Sequence, residues 1–452
     1  MRVPNRKHCP KTIQLTATTI LALVAVAGCK GIPTAGELEA RRNAEAVAGA
    51  YRPQDHRPAL PALETNSSMG DFLRFGILNH PQVEAAYYDW LGSVQRITVE
   101  RSLPDPKLTF QAYIQKSLTS LMPGLMQEFP GPGKLTAAAN VASAEARTKY
   151  FAFETAAFQT AFAVKQAYYG LCFLDEKIRI QRDTLRLLSG LEKIARAQND
   201  VGKATLLDVY RAQIERDRLA TETVNLEDSR RPLTARFKAA LGLTRDRPDP
   251  PLPTRFESTP LELSGDELLD TAFARNPRLK AMESDVRLAE ASIALAGKSK
   301  VPDFSAGLQA EVYEPPFYWP QASMSLPLWR DKIAAQIAAA QAGKRAAEAR
   351  LSAEQIGLTV DFAMRTYDYR EMTRDLALLQ NQLIPKARQS LEIARGSYLG
   401  GQIDFFNLID TERTLLNYQL QEVEARARRE IILAELSLSI AGIAPPGAPV
   451  LR

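Results

Sequence analysis

Phe304-Ser305-Ala306-Gly307-Leu308-Gln309-Ala310-Glu311-Val312 alternates apolar residues with small or polar ones. A period of two over this length predicts a strand whose faces meet different surroundings. It is the pattern of a membrane barrel strand, apolar toward lipid and polar toward a lumen. A return strand follows, with Ala322, Met324 and Leu326 set against Gln321, Ser323 and Ser325. The rings of Phe317, Tyr318, Trp319 and Trp329 gather at the hairpin ends and fit a membrane-interface girdle. The edge of a soluble sandwich is the competing explanation for the same rings.

Working outward, the alternation occurs twice. Leu108-Thr109-Phe110-Gln111-Ala112-Tyr113-Ile114-Gln115 repeats it, although its return segment, 118–129, is interrupted by Pro123-Gly124. Other landmarks recur in the same order. His80-Pro81 matches Asn276-Pro277 at an offset of 196, and Leu103-Pro104-Asp105 matches Val301-Pro302-Asp303 at 198. Phe129-Pro130 matches Leu326-Pro327, Gly202 matches Gly401, and Leu241-Gly242-Leu243 matches Ala441-Gly442-Ile443. The chain is therefore one unit built twice, over 71–243 and 265–443.

Each unit reads helix, strand pair, long helix, turn, helix. The opening helices, 71–101 and 266–299, carry apolar residues at helical spacing, among them Phe72, Tyr87 and Trp90 in the first copy. The strand pairs fall near 106–129 and 302–328. Lys134 to Asn199 contains no proline, and at 1.5 Å per residue about 65 residues reach ~100 Å. The second copy runs from Asp331 to Leu399, interrupted only by Pro385. Helices of this length must pack side by side as coiled coils, and return helices over 202–241 and 402–441 supply the partners. The fold class is mainly α with a small β part. Residues 29–70 and the proline-rich 244–264 read as extended linkers, and 444–452 as a tail.

The chain has 452 residues and 57 Lys and Arg against 52 Asp and Glu. That balance excludes a disordered tail, a collagen and a polytopic helical membrane protein. Arg2, Arg6, Lys7 and Lys11 precede the apolar run Thr12–Ala27 with no acid before residue 29. Residues 1–28 thus read as a secretory signal, and the remainder is close to neutral, which removes any argument for nucleic acid. Leu23-Val24-Ala25-Val26-Ala27-Gly28-Cys29 resembles a lipobox, which would make Cys29 the acylated residue. An ordinary signal peptide with a chance Cys is the alternative. Cys172 is then the one remaining thiol, so no intrachain disulfide forms.

Catalytic signatures are missing. Beyond the signal only His56 and His80 remain, too few for a multi-histidine metal site. Gly131-Pro132-Gly133-Lys134-Leu135-Thr136 lacks the spacing of a phosphate loop and reads as a strand-to-helix turn. No cofactor and no enzyme activity are expected.

These features together resemble the TolC-like outer membrane efflux protein family, in its lipoprotein branch. The resemblance rests on the duplication, the His/Asn-Pro openings, the strand pairs, the long helices and the glycine turns. Those turns are Val201-Gly202-Lys203 and Gly400-Gly401-Gln402, followed by Leu206-Leu207 and Phe405-Phe406. It implies a homotrimer: a twelve-stranded transmembrane β-barrel continuous with a periplasmic α-helical coiled-coil barrel. The implied location is the outer membrane, lipid-anchored, with most of the chain in the periplasm. The implied function is the passive exit duct of a tripartite efflux or type I secretion system, with a periplasmic adaptor and an inner-membrane pump as partners. Backbone chemistry agrees, because four strands cannot close a barrel and an open edge cannot sit in lipid. A structural coiled-coil lipoprotein or a periplasmic adaptor is the rival, but neither needs two alternating strand pairs.

The resemblance also places a periplasmic gate near Gly401. Acids are expected six and nine positions beyond it, where this chain has Asn407 and Asp410. Tyr398 and its family partner, here Asp208, are present, while the family's arginine two after the glycine is Ile403. Arg395 and Asp404 are the substitute latch residues. Solvation of helix ends is the plain alternative for all of them. The tips Val201, Gly202, Lys203, Gly400, Gly401 and Gln402 are the expected adaptor-docking surface, their glycines permitting positive φ.

Overall fold

The computed structural model describes residues 33–115, 117–253, 256, 265–311 and 317–441. The signal segment 1–28, Cys29, most of 254–264 and the tail 444–452 lie outside the described residues. The first copy comprises α2 Met69–Asn79, α3 Pro81–Arg101, β1 Lys107–Gln115, β2 Ser117–Phe129, α4 Lys134–Asp200 and α5 Leu206–Ala240, preceded by α1 Ala35–Tyr51. The second comprises α6 Gly265–Arg275, α7 Pro277–Gly297, β3 Phe304–Glu311, β4 Phe317–Met324, α8 Arg330–Leu378, α9 Ile384–Leu399 and α10 Phe405–Ala441. Among the described residues no helix is long and apolar enough to cross a membrane.

The helix expected over 71–101 is two helices, and so is its counterpart. His80 precedes proline and takes extended backbone, φ −73° and ψ 124°, because the proline ring disfavours helical geometry before it. In the second copy Asn276 caps α7, its Oδ1 accepting from Arg278 N at 2.9 Å and Leu279 N at 3.2 Å. Pro385 is accommodated differently. A π turn over Leu379–Leu383 leads into α9, placing Pro385 in a first turn where no intrahelical N–H is required.

The chain divides into two compact units. One holds residues up to Ala44, Leu91–Thr148 and Ser284–Glu348. Its centre is an antiparallel sheet in chain order, β1-β2-β3-β4, with β1 and β4 as edges. Pro123 stands opposite Phe110 in β1, and the ladder to β3 starts only at Gly124. The residue without an N–H therefore sits just past the end of that ladder. The 131–136 stretch is a strand-to-helix junction: Asp303 Oδ1 accepts from Gly131 N and Lys134 Nζ, each at 2.7 Å. Any Cβ at Gly131 would lie 2.3 Å from the Pro302 carbonyl oxygen, so only glycine fits.

The extended linker expected over 29–70 is corrected by α1. Glu37 is fully buried and pairs with Arg101 at 2.6 Å and Arg41 at 3.0 Å, while Thr98 Oγ1 donates to it at 3.0 Å. Residues 35–51 contain no proline, and packed ion pairs to α3 stabilise a helix whose large apolar residues are only Leu38, Val47 and Tyr51.

The other unit holds Glu45–Trp90, Lys149–Glu283 and the chain from Ala349. Met69, Phe72, Val164, Tyr168, Tyr169, Phe237 and Leu241 belong to one core cluster. A second aromatic group joins Tyr51, Tyr87, Trp90, Tyr150 and Phe153 at ring separations of 5.0 to 6.2 Å. Asn79 Nδ2 donates to the Leu241 and Gly242 carbonyls, at 2.9 and 3.1 Å, tying the end of α5 to the end of α2. Phe256 of the inter-repeat segment stacks near Tyr169 and Phe173, so this part of the linker is packed down.

Candidate functional site

Residues directly opposite each other in an antiparallel ladder share a face, so the register assigns every described strand position. One face carries Leu108, Phe110, Leu121, Leu125, Phe304 and Leu308, all exposed. The other carries Thr109, Gln111, Gly124, Ser305, Gln309, Gln321 and Ser323. The usual burial rule is inverted: Leu308 is 50% exposed whereas its neighbour Gln309 is 4% exposed. Gln309 Nε2 donates to Gln111 Oε1 at 3.2 Å, Gln321 Nε2 donates to Gln309 Oε1 at 2.5 Å, and Ser305 meets Ser323 at 2.7 Å. A satisfied amide network on one face and bare large apolar side chains on the other suit a wall between water and hydrocarbon.

The girdle expectation needs correction. Gln309 pairs with Trp319 and Glu311 with Phe317, which puts both rings on the amide face. Tyr318, opposite Ala310, is on the apolar face, and Trp329 lies beyond β4 at the start of α8. Three consecutive aromatics carry no alternation, so only the register could assign them.

The turns at the other expected site adopt the same geometry. Gly202 has φ +72° and Gly401 φ +69°, a region open to glycine at no steric cost. Lys203 N donates to Gln198 O and Gln402 N to Ser397 O, each at 2.8 Å. Val201, Lys203, Gly400 and Gln402 are exposed at these tips, with Leu206, Leu207 and Phe406 exposed beside them. Thr205 and Asp208 form a capping box on α5, and Asp404 Oδ1 accepts from Asn407 N at 2.9 Å to cap α10. Beneath lie Leu191, Ala195, Val209, Leu391, Tyr398, Phe405 and Leu408.

Tyr398 and Asp208 are not hydrogen-bonded to each other. The carboxylate is engaged at Thr205, and Tyr398 Oη is buried with no hydrogen-bond partner among the described residues, its ring edge-on to Phe405 at 5.3 Å. Burial, reinforced by the nearby Asp208 charge, raises the Tyr398 pKa. Tyr398→Phe is therefore expected to hold or increase thermal stability by about 1 kcal/mol, since it removes an unsatisfied buried polar group. A melting-temperature loss of several degrees in detergent would show that the hydroxyl has a partner after all. Arg395, Asn407 and Asp410 are exposed, so the structure brings together the caps and Tyr398 but leaves these three facing solvent.

Sequence reasoning missed a charged layer behind the tips. Arg413 forms a two-pronged ion pair with Glu215, one contact being 2.9 Å. Beside it Glu412 is only 3% exposed, and burial plus the Glu215 charge, opposed by Arg413, push its pKa up to about 7. Glu192, also buried, accepts from Gln213 at 3.1 Å and pairs with Arg196 at 3.1 Å and Arg216 at 2.5 Å. The available signal was Glu412 itself, which falls on the same helical stripe as Leu408 and Leu415. Among the described residues no group of His, Cys, Asp and Glu is arranged to hold a metal.

The profile of the outer membrane efflux protein family matches residues 77–243 and 268–442, one segment in each copy. The chain belongs to that family. The chain is 24% identical over 297 residues to the pyoverdine export outer membrane protein OpmQ of Pseudomonas putida, covering 62% of this chain. It spans 60% of the length of that relative. Among solved structures, VceC of Vibrio cholerae superposes with a TM-score of 0.69 at 16% identity, covering 83% of this chain and 96% of VceC. The open state of the Neisseria gonorrhoeae MtrE outer membrane channel gives 0.70 at 15% identity, covering 88% and 99%. The chain thus shares the fold of these outer membrane channels, mainly helical with a small sheet.

Proposed function

We propose that the protein is the passive exit duct of a tripartite efflux or secretion system. Three copies, each with repeats at 71–243 and 265–443, pool their strands into a twelve-stranded barrel above a helical tunnel. The observation that carries this reading is the sheet: among the described residues its edges β1 and β4 have no further strand beside them, and one exposed face is apolar. Unpaired edges are untenable in lipid, so further copies must close them. Cys29 carries the lipid anchor, and the exposed tips at 201–203 and 400–402 receive a periplasmic adaptor that links the duct to an inner-membrane pump. Cargo moves without energy input from this chain.

Purified protein in detergent is expected to have the mass of a trimer and to give stepwise conductance in planar bilayers. A monomer without conductance would overturn the reading. Within it, Asp410 lines the periplasmic constriction and favours cations, with Asn407 a neutral ring about one helical turn nearer the tip and Tyr398, Asp208, Asp404 and Arg395 around the closure. Single-channel recordings of Asp410→Ala are expected to show reduced cation preference at unchanged trimer yield. Unaltered selectivity and conductance would remove Asp410 from the gate.

A further inference from the structure

We infer that Phe317 and Trp319 form a lumen-facing solute contact at the outer end of the barrel, suited to planar aromatic cations. This inference rests on the duct reading above. The strands join helices at Lys107, Phe129, Phe304 and Met324, so Glu311 and Phe317 mark the ends of β3 and β4 remote from the helices. Phe317 is the first and Trp319 the third residue of β4 from that end. The register puts them on the face of Gln309 and Gln321, opposite in orientation to Leu308 and Tyr318. Their rings meet edge to face at 4.9 Å and 61°, which fixes one against the other. Both are about half exposed, Trp319 at 48%, so their ring surface is available on the water side of the wall.

A Trp and a Phe toward lipid need no explanation, but toward an aqueous lumen their apolar surface stays in contact with water, which costs free energy. That cost is offset when a solute stacks on them. Glu311 is the cross-strand neighbour of Phe317, which adds a carboxylate to the same face and favours positive charge. A trimer would present three such pairs around one exit.

The test uses the full chain in planar bilayers and two sets of variants. Trp319→Cys is expected to react with trimethylammonium-ethyl methanethiosulfonate and lower unitary conductance by about twofold, as charge is added to the lumen. Leu308→Cys and Tyr318→Cys should match wild type, whose half-buried Cys172 sets the background. Separately, ethidium added from the hairpin side should block wild type more tightly than Trp319→Ala, by about three- to tenfold, the range for one lost aromatic contact. Trp319→Leu, which keeps an apolar side chain but no ring, should lose block to the same degree. A conducting Trp319→Cys channel that ignores the reagent overturns the facing. Equal block in all three channels overturns the solute contact. Absence of conductance in wild type instead overturns the duct reading.

Discussion

Leu308→Arg is expected to abolish the assembled channel in the outer membrane. Leu308 is in the middle of β3 on the exposed apolar face, paired with Leu125 and Pro320. An arginine facing hydrocarbon near the bilayer midplane costs about 2–4 kcal/mol per chain. Three copies far apart add nearly independently, giving on the order of 6–12 kcal/mol per trimer. Ser323→Lys provides the control, because Ser323 lies on the opposite face, where charge tunes selectivity rather than insertion. Outer membrane extracts should contain abundant Ser323→Lys trimer and almost no Leu308→Arg trimer. Comparable yields of both would mean the exposed leucines do not face lipid.

The second large effect concerns pH. Burial and the Glu215 charge raise the Glu412 pKa from its ordinary 4.5 to about 7. The folded state therefore binds a proton that the unfolded chain has already released between those values. Stability is full below pH ~4.5, falls as pH rises through 7, and stays low above it, by about 3 kcal/mol from 1.36 kcal/mol per pKa unit. Glu412→Gln should remove the slope and stabilise the protein at pH 8 while changing little at pH 4.5. Denaturant midpoints in detergent at both pH values decide the matter. A variant whose curve runs parallel to wild type would show that Glu412 is not the group that titrates.

Much of the fold was legible because duplication, alternation and glycine turns are local patterns. Gly202 and Gly401 announced reversals, and both take positive φ. Leu108 and Leu308 announced strands with an apolar face, and the ladders place them there. What escaped depended on partners distant in sequence. Residues 35–51 looked like a linker because Glu37 stabilises the helix only through Arg101 and Thr98, about sixty residues on. Phe317 and Trp319 could not be assigned a face until β3 lay beside them. The Tyr398–Asp208 pairing came from resemblance alone, whereas the capping box that occupies Asp208 was visible in Thr205-Leu206-Leu207-Asp208.

Gln309 bonds Gln111 and Arg413 bonds Glu215, and in each case the partners are 198 positions apart. The strand landmarks repeat at 198, so Gln111 and Gln309 are the same place in the two halves, touching, whereas the turns Gly202 and Gly401 repeat at 199, so Glu215 and Arg413 are one position out of step. In an assembly of identical half-length chains, the glutamine would meet its own duplicate. A glutamine tolerates this, since an amide both donates and accepts. A glutamate or an arginine does not, because like charges repel. Gene fusion lifts that restriction: once the halves mutate separately, a contact between them can become an acid–base couple. The counterparts of Glu215 and Arg413 are Thr414 and Ile214, which carry no charge, so this ion pair occurs once between the halves and depends on their having different sequences.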